Sequence, residues 1–349
     1  MINGGSQTSR PMVGPGLLGS PPGVAPRSTR APEGSVRVLI TGIAGFAGSH
    51  LAELALQEGA EVTGTLLPGA PALSLAAIRG SIRTVACDLT EPGAAARVLA
   101  ELRPDRVFHL AGASVVGSSW AQRANVLRQN LDGTFQLFEG LRAAPVPCLL
   151  VSSGELYGVV PETAQPIVES RPPSPLSPYA LSKACQELYA GYYVRAEGLP
   201  IVIVRAFNHV GPRQNPGFVC SDIARQVAAI EKGLRPPVLE IGTVTTRRDF
   251  TDVRDMVRAY WRLLERAAPG DVYNAASGRA VAIRDIVDRF LALAGCPIEV
   301  RPTADRVRPI DLPLLLGDAG RLRALTGWSP EIPLEQSLAD VLADWRQRV

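Results

Sequence analysis

The chain predicts a doubly wound α/β fold, a mostly parallel sheet with helices on both faces. Three observations predict it. Val36-Arg-Val-Leu-Ile-Thr-Gly42 is a short apolar run ending in glycine, the pattern of a strand buried on both faces. It runs into Thr41-Gly-Ile-Ala-Gly-Phe-Ala-Gly48, where Gly42, Gly45 and Gly48 let the backbone approach a pyrophosphate at a helix N-terminus. Five further strand-like runs then alternate with helical stretches as far as Arg205.

In chain order, residues 1–34 are rich in Gly, Pro and Ser and show no helical or strand period. They read as a disordered N-terminal extension without an apolar core long enough for a signal peptide. Order is expected from Val36. After the glycine turn come a helix at His50–Glu58 and a second strand at Glu61–Thr65. An acid at the end of that strand would hold a ribose 2′-hydroxyl, and an arginine would favour a 2′-phosphate. Thr63-Gly-Thr-Leu-Leu67 offers neither, so NAD and NADP stay open. Val85-Ala-Cys-Asp-Leu89 reads as the third strand. Its Asp88 either meets an adenine amino group or caps the segment starting at Glu91.

Arg106-Val-Phe-His-Leu-Ala-Gly112 is a fourth strand with a small-residue turn suited to pass under a cofactor. A helix over Ala121–Arg142 contains Asn130-Leu-Asp-Gly-Thr134. Cys148-Leu-Leu-Val-Ser-Ser153 carries a serine to the carboxyl edge of the sheet, where open α/β sheets bind ligands. A Pro-rich loop, Pro161–Pro178, and a sixth strand, Ile201–Arg205, follow. Beyond that the texture changes. Ala206–Gln214 and Gly217–Asp222 read as polar loop, followed by a helix at Ile223–Lys232, the segment Arg247–Val253, a strand–helix pattern from Val272 to Leu293, and a last amphipathic helix at Leu334–Arg348. The domains are expected at 35–205 for the dinucleotide, with residues of about 250–278 returning to it, and at 206–349 for a smaller, interleaved α/β substrate-binding part.

The chemistry concentrates in Tyr179-Ala-Leu-Ser-Lys183, which puts Tyr and Lys on one helical face. An ammonium beside a phenol favours the phenolate, so the Tyr179 pKa is expected below its usual ~10. Such a tyrosine trades protons with a hydroxyl or a carbonyl. Lysine usage supports the pairing. Lys183 and Lys232 are the only lysines among 36 basic residues, and arginine cannot serve as a compact, tunable ammonium. Ser153 completes a Ser/Tyr/Lys set.

Composition bounds the rest. The formal charge of +3 and scattered arginines do not point to nucleic acid. Cys87, Cys148, Cys185, Cys220 and Cys296 lie far apart without Cys-x-x-Cys, and read as neutral thiols in a reducing, cytoplasmic compartment. His50, His109 and His209 show no metal-ligand spacing. No apolar run approaches the ~20 residues of a membrane span.

Thr41–Gly48, His109–Ala113, Ser152–Gly158 and Tyr179–Lys183 together resemble the extended short-chain dehydrogenase/reductase superfamily of nucleotide-sugar enzymes. The resemblance implies a Rossmann domain and NADPH or NADH. It assigns Ser153, Tyr179 and Lys183 to catalysis, and Gly42, Gly45, Phe46, Ala47, Gly48, Asp88, Leu89, Leu110 and Ala111, with Tyr179 and Lys183, to the cofactor. Within the superfamily, Phe207–Gln214, Gly217–Asp222, Arg248–Asp255, Val272–Gly278 and Thr326–Ile332 are similar to GDP-4-dehydro-6-deoxy-D-mannose reductases, which make GDP-D-rhamnose. That likeness implies a GDP-sugar held by Ser153, Glu155, Asn208, Arg213, Val219, Arg248 and Arg308. Asp311 is read as orienting an arginine or capping a turn, and Asp222 as a helix cap. The superfamily commonly dimerises through two helices, here Ala121–Arg142 and Tyr179–Glu197, with Val126, Leu137, Leu188 and Tyr192 as apolar positions. Glu155 keeps other readings open. In related 4,6-dehydratases an acid at this offset removes the C5 proton, so the alternatives are a GDP-mannose 4,6-dehydratase, a 4-epimerase, or a dinucleotide-binding scaffold without turnover.

Overall fold

Along the first strand, β1 (Arg37–Thr41), side chains alternate between two separate cores. Val38 and Ile40 pack in one, and Leu39 in the other. This is a computed structural model that describes Met1 and residues 34–114, 116–306 and 310–349. Nearly all of the expected N-terminal extension, and Arg308, lie outside the described residues.

From β1 the chain passes through α1 (Phe46–Gln57), β2 (Glu61–Leu66), β3 (Arg83–Ala86), α2 (Ala94–Leu102) and β4 (Arg106–His109). Then come α3 (Val116–Ser119), α4 (Arg123–Ala143), β5 (Cys148–Ser153), α5 (Pro178–Glu197) and β6 (Ile201–Ala206). β7 (Asn208–Val210), α6 (Val219–Glu231), β8 (Val238–Ile241), β9 (Arg247–Asp252), α7 (Val253–Arg266) and β10 (Val272–Ala275) follow. The chain ends in β11 (Ala280–Ala282), α8 (Ile283–Leu293), β12 (Glu299–Pro302), β13 (Leu314–Leu315), α9 (Gly320–Thr326) and α10 (Leu334–Arg348).

Seven parallel strands form the main sheet in the order β10-β6-β5-β4-β1-β2-β3. The order reverses between β1 and β4, the point where such a sheet opens a crevice at its carboxyl edge. On one face α1 and α7 cover Val38 and Ile40 through Leu51, Met256 and Tyr260. On the other, Leu99, Phe138 and Tyr193 of α2, α4 and α5 cover Leu39. β7, β9, β11 and β13 make a second, small sheet, and β8 pairs with β12. Around them Ile223, Val227, Phe290, Val341 and Trp345 form a third core. The chain leaves the main sheet after β6 and re-enters it at β10, so β9 belongs to the small sheet.

Three elements differ from the sequence reading. α1 starts at Phe46 rather than His50, because Gly48 is not a turn residue but a helical one: a Cβ there would stand 2.4 Å from the Gly42 carbonyl oxygen. β3 ends at Ala86 and α2 starts at Ala94, so Asp88 is not a helix cap. It accepts hydrogen bonds from the Thr90 amide (2.9 Å) and hydroxyl (2.8 Å) in a local turn. The polar stretch 206–222 conceals β7 and the first turn of α6, which begins at Val219 rather than Ile223. Its polar residues are satisfied inside the fold. Ser221 donates to the Gln214 carbonyl (2.7 Å) and accepts from Trp345 Nε1 (2.9 Å). Asp222, in that first turn, accepts from Arg225 and Gln226 and pairs with Arg306 rather than capping the helix.

A buried chain of hydrogen bonds ties β1, β4, α4 and α5 together. The Ala111 amide donates to Thr41 Oγ1 (3.1 Å), which leaves the Thr41 hydrogen for His109 Nδ1 (2.8 Å). His109 Nε2–H then donates to Thr134 Oγ1 (2.9 Å), which also accepts from Gln186. Gln186 also donates to the Asn130 carbonyl (2.9 Å). The Asn130 side chain accepts from the Ala113 amide (2.7 Å) and donates to Ser182 Oγ (2.8 Å), and Ser182 donates to the Tyr179 carbonyl (2.7 Å). Burial and, secondarily, the Lys183 charge push the His109 pKa down to about 3, so the ring is neutral.

An unfolded chain takes up the His109 proton near its ordinary 6.5, well before the folded chain does. The stability tied to this ring is therefore full above pH 6.5 and falls as the pH drops towards about 3. His109→Gln should cost roughly 1–3 kcal/mol in urea unfolding near neutrality, and its stability should decline less steeply on acidification. Parallel wild-type and variant curves would assign the acid loss to other groups.

Candidate active site

A cavity of about 500 Å³ opens at the carboxyl edge of the main sheet. One end is built by the glycine turn. Gly42 takes a positive φ of +70°, and a Cβ on it would meet Ala111 Cα at 2.9 Å. Gly45 precedes α1 without a side-chain cap, and the first turn of that helix carries no acid. The positive pole of α1 is thus open to an anion such as a pyrophosphate, and the glycines let the turn fold tightly against Ala111 and its own backbone. Phe46, Ala47 and Gly48 line this end, with Asp88, Leu89, Leu110 and Ala111. β2 ends at apolar Leu66 and is followed by Leu67, and both line the cavity. The Phe46 ring stacks on His209, centroids 5.6 Å apart, and so joins the turn to β7.

At the reactive end, Ser177 caps α5 by accepting from the Ala180 amide (3.0 Å), with Pro178 in the first helical turn. That start puts Tyr179 and Lys183 on the cavity side, 9% and 7% exposed. Ser153 ends β5 and accepts from the Glu155 amide (3.2 Å), which begins a tight turn. Lys183 Nζ donates to the Val151 carbonyl (2.8 Å) and lies 5.9 Å from the centre of the Tyr179 ring.

The electrostatics reverse the expected phenol shift. Burial pushes the Tyr179 pKa up to about 12, against a hydrogen bond from Ser153 that favours the phenolate, and the Glu155 charge raises it further. Burial also pushes Lys183 down to about 8, opposed by Glu187. Desolvation outweighs the Lys–Tyr attraction because the ammonium is directed at Val151, not at the phenol oxygen. At neutral pH the phenol holds its proton, so the site is set to donate one.

Asn208, Val219 and Glu155 line the cavity with Ser153. Of the three arginines expected there, the two that are described, Arg213 and Arg248, are not among the residues lining it. Arg213 makes two hydrogen bonds to Glu53 (2.6 and 2.7 Å) and one to His50 Nδ1 (2.7 Å), bracing α1. Arg248 is buried, donating to the Leu312 carbonyl (2.6 Å) and to Asp311 (2.5 Å). Neither lines the cavity, and Arg308 lies outside the described residues. Phe250, Tyr260 and Leu315 line it without having been foreseen. Tyr260 sits on the apolar face of α7, with Met256, Val257, Leu263 and Leu264, and reads from sequence as core.

The family model described as GDP-mannose 4,6 dehydratase matches residues 39–341. The chain belongs to this family. It is an extended short-chain dehydrogenase/reductase of the nucleotide-sugar type. A GDP-6-deoxy-D-mannose reductase of Pseudomonas aeruginosa is 37% identical over 315 residues, covering 90% of this chain and 98% of the relative. The structure of RMD from the same organism, complexed with NADPH, superposes with a TM-score of 0.77 at 36% identity, over 90% of this chain and all of the other. A UDP-glucose 4-epimerase of Thermus thermophilus complexed with NAD gives a TM-score of 0.80 at 31% identity, over 90% of this chain and all of that one. The matched span holds the glycine turn and Ser153, Tyr179 and Lys183.

Gly48→Ala tests the cradle. Its Cβ would force the Gly42 carbonyl out of place, so affinity for NADPH and NADH, read by fluorescence titration, should fall at least ~tenfold. Undiminished binding would remove the pyrophosphate from this turn.

Proposed function

We propose that the protein reduces the C4 keto group of GDP-4-dehydro-6-deoxy-D-mannose with NADPH or NADH, giving GDP-D-rhamnose. The reading is carried by a buried, protonated Tyr179 beside Ser153, in one cavity with a dinucleotide cradle. The choice of sugar is supported by the reductase that the chain matches along nearly its whole length.

Gly42, Gly45 and Gly48 would hold the pyrophosphate of the cofactor, which when bound supplies the hydride. The remaining steps fall to side chains. Ser153 and Tyr179 hydrogen-bond the C4 oxygen and fix the carbonyl in the cavity. As charge develops on that oxygen, Tyr179 gives up its phenolic proton to form the hydroxyl. Lys183, 5.9 Å from the centre of the Tyr179 ring, supplies a positive charge that favours the phenolate left behind. Asn208 and Val219 bound the sugar side.

Glu155 supports a second reading. It lines the same cavity, and its charge acts on Tyr179. A GDP-mannose 4,6-dehydratase would use it as the base at C5. We also infer a homodimer. Val126 and Leu137 are core residues, whereas Leu181, Leu188 and Tyr192 of α5 and Phe135 of α4 are exposed and form an apolar stripe across both helices. A second copy of the same stripe would bury it. The five cysteines are free thiols, which suits a reducing compartment such as the cytoplasm. No helix among the described residues is long and apolar enough to cross a membrane.

Mixed with GDP-4-dehydro-6-deoxy-mannose, the protein should oxidise NADPH or NADH in step with formation of GDP-rhamnose, identified by NMR. Tyr179→Phe should lower kcat by about 10²–10⁴ and leave dinucleotide binding intact. If instead GDP-mannose alone yields the 4-ketosugar, the dehydratase reading replaces this one. Leu188→Asp should convert the dimer to a monomer in light scattering. An unchanged mass would place the interface elsewhere.

A further inference from the structure

Tyr260 lies in the middle of α7 and is completely buried. Its hydroxyl has no hydrogen-bond partner among the described residues. It also lines the cavity that Ser153, Tyr179 and Lys183 line. Buried phenols normally find a partner for the hydroxyl, since an apolar ring of the same shape would otherwise serve better. Among the other orphaned side chains described, only Gln214 lines this cavity, and its amide is already held by the His209 carbonyl (2.8 Å).

The placement of Tyr260 gives the orphan a meaning. α7 covers one face of the main sheet with α1, while α5 covers the other. Tyr179 and Tyr260 therefore reach one cavity from opposite sides of the sheet edge. They are within electrostatic reach, because a phenolate at Tyr179 would add to the burial that keeps the Tyr260 phenol protonated. Tyr260 is thus a donor at every working pH, in the wall of the space where ligands meet.

We propose that the Tyr260 hydroxyl donates a hydrogen bond to an acceptor oxygen of the molecules bound in this cavity and positions the reacting pair opposite Tyr179. The acceptor is either the carboxamide carbonyl of the dinucleotide or an oxygen of the sugar beside C4. The proposal rests on the ketosugar reduction read above.

Tyr260→Phe removes the hydroxyl and keeps the ring. The ligand-free variant should melt at or above the wild-type temperature, because it loses only an unsatisfied group. A structural role would lower that temperature. Dissociation constants for NADPH and NADH are measured without sugar, and KM for the ketosugar is measured at saturating cofactor. A roughly fivefold to tenfold weaker dinucleotide, the worth of one hydrogen bond, with KM unchanged, identifies the carboxamide. Unchanged dinucleotide affinity with KM raised by a similar factor identifies the sugar. Unchanged affinity and unchanged KM overturn the proposal, whatever the melting temperature. If the wild type binds the dinucleotide but leaves the ketosugar unreduced, the functional reading fails, and the dinucleotide measurement still decides Tyr260.

Discussion

Lys183 must stay nearly dry and still hold a proton, and much of the architecture around the cavity follows from that. Taking an ammonium out of water costs on the order of several kcal/mol unless other groups replace the lost hydration. Here the replacement is partial. The Val151 carbonyl takes one hydrogen, and Glu187, one turn further along α5, opposes the desolvation. Glu187 is itself fixed by the buried Arg205 guanidinium, through contacts of 2.7–3.2 Å. The ammonium is thereby weakened to about 8 and not lost. A fully paired lysine would hold its proton too tightly to return it to a phenolate, and an unpaired one would be neutral in the folded protein.

The same dryness acts on Tyr179 with the opposite consequence for charge. Burial favours the neutral form of both groups, which leaves a protonated phenol beside an easily neutralised ammonium. That is the starting state for donating a proton to a ketone. The hydrogen-bond chain from Thr41 to Ser182 makes the arrangement rigid. Each buried polar group in it has a stated partner, except Gln186 Oε1. A network this well satisfied can fix a helix against a sheet, whereas a half-satisfied one would cost more than an apolar core.

Most of the fold was legible because parallel strands buried on both faces write themselves as apolar runs, and Cys148–Ser153 and Leu334–Arg348 have the bounds read from sequence. That Tyr179 and Lys183 share one cavity was legible for a different reason: a rare lysine at helical spacing from a tyrosine stands out against a chain that otherwise uses arginine. The misreadings share a physical cause. Ser221 and Asp222 look like loop residues because sequence does not show that a tryptophan, a glutamine and two arginines await them inside the fold. Tyr179 was assigned the wrong direction of shift because proximity to Lys183 is visible in the spacing and burial is not.

The arginines make the same point about function. Arg213 and Arg248 lie in stretches that resemble the reductases, and bidentate guanidinium chemistry suits a diphosphate. In the fold, Arg213 is saturated by Glu53 and His50, and Arg248 is anchored by Asp311 and the Leu312 carbonyl. A guanidinium whose donors are already engaged by protein acceptors gains little from a phosphate, because each new bond replaces an existing one. In the fold both arginines brace the scaffold around the cavity. Arg213 holds α1, the helix whose N-terminus opens at the glycine turn. Arg248 holds the strand that carries Phe250 to the cavity wall.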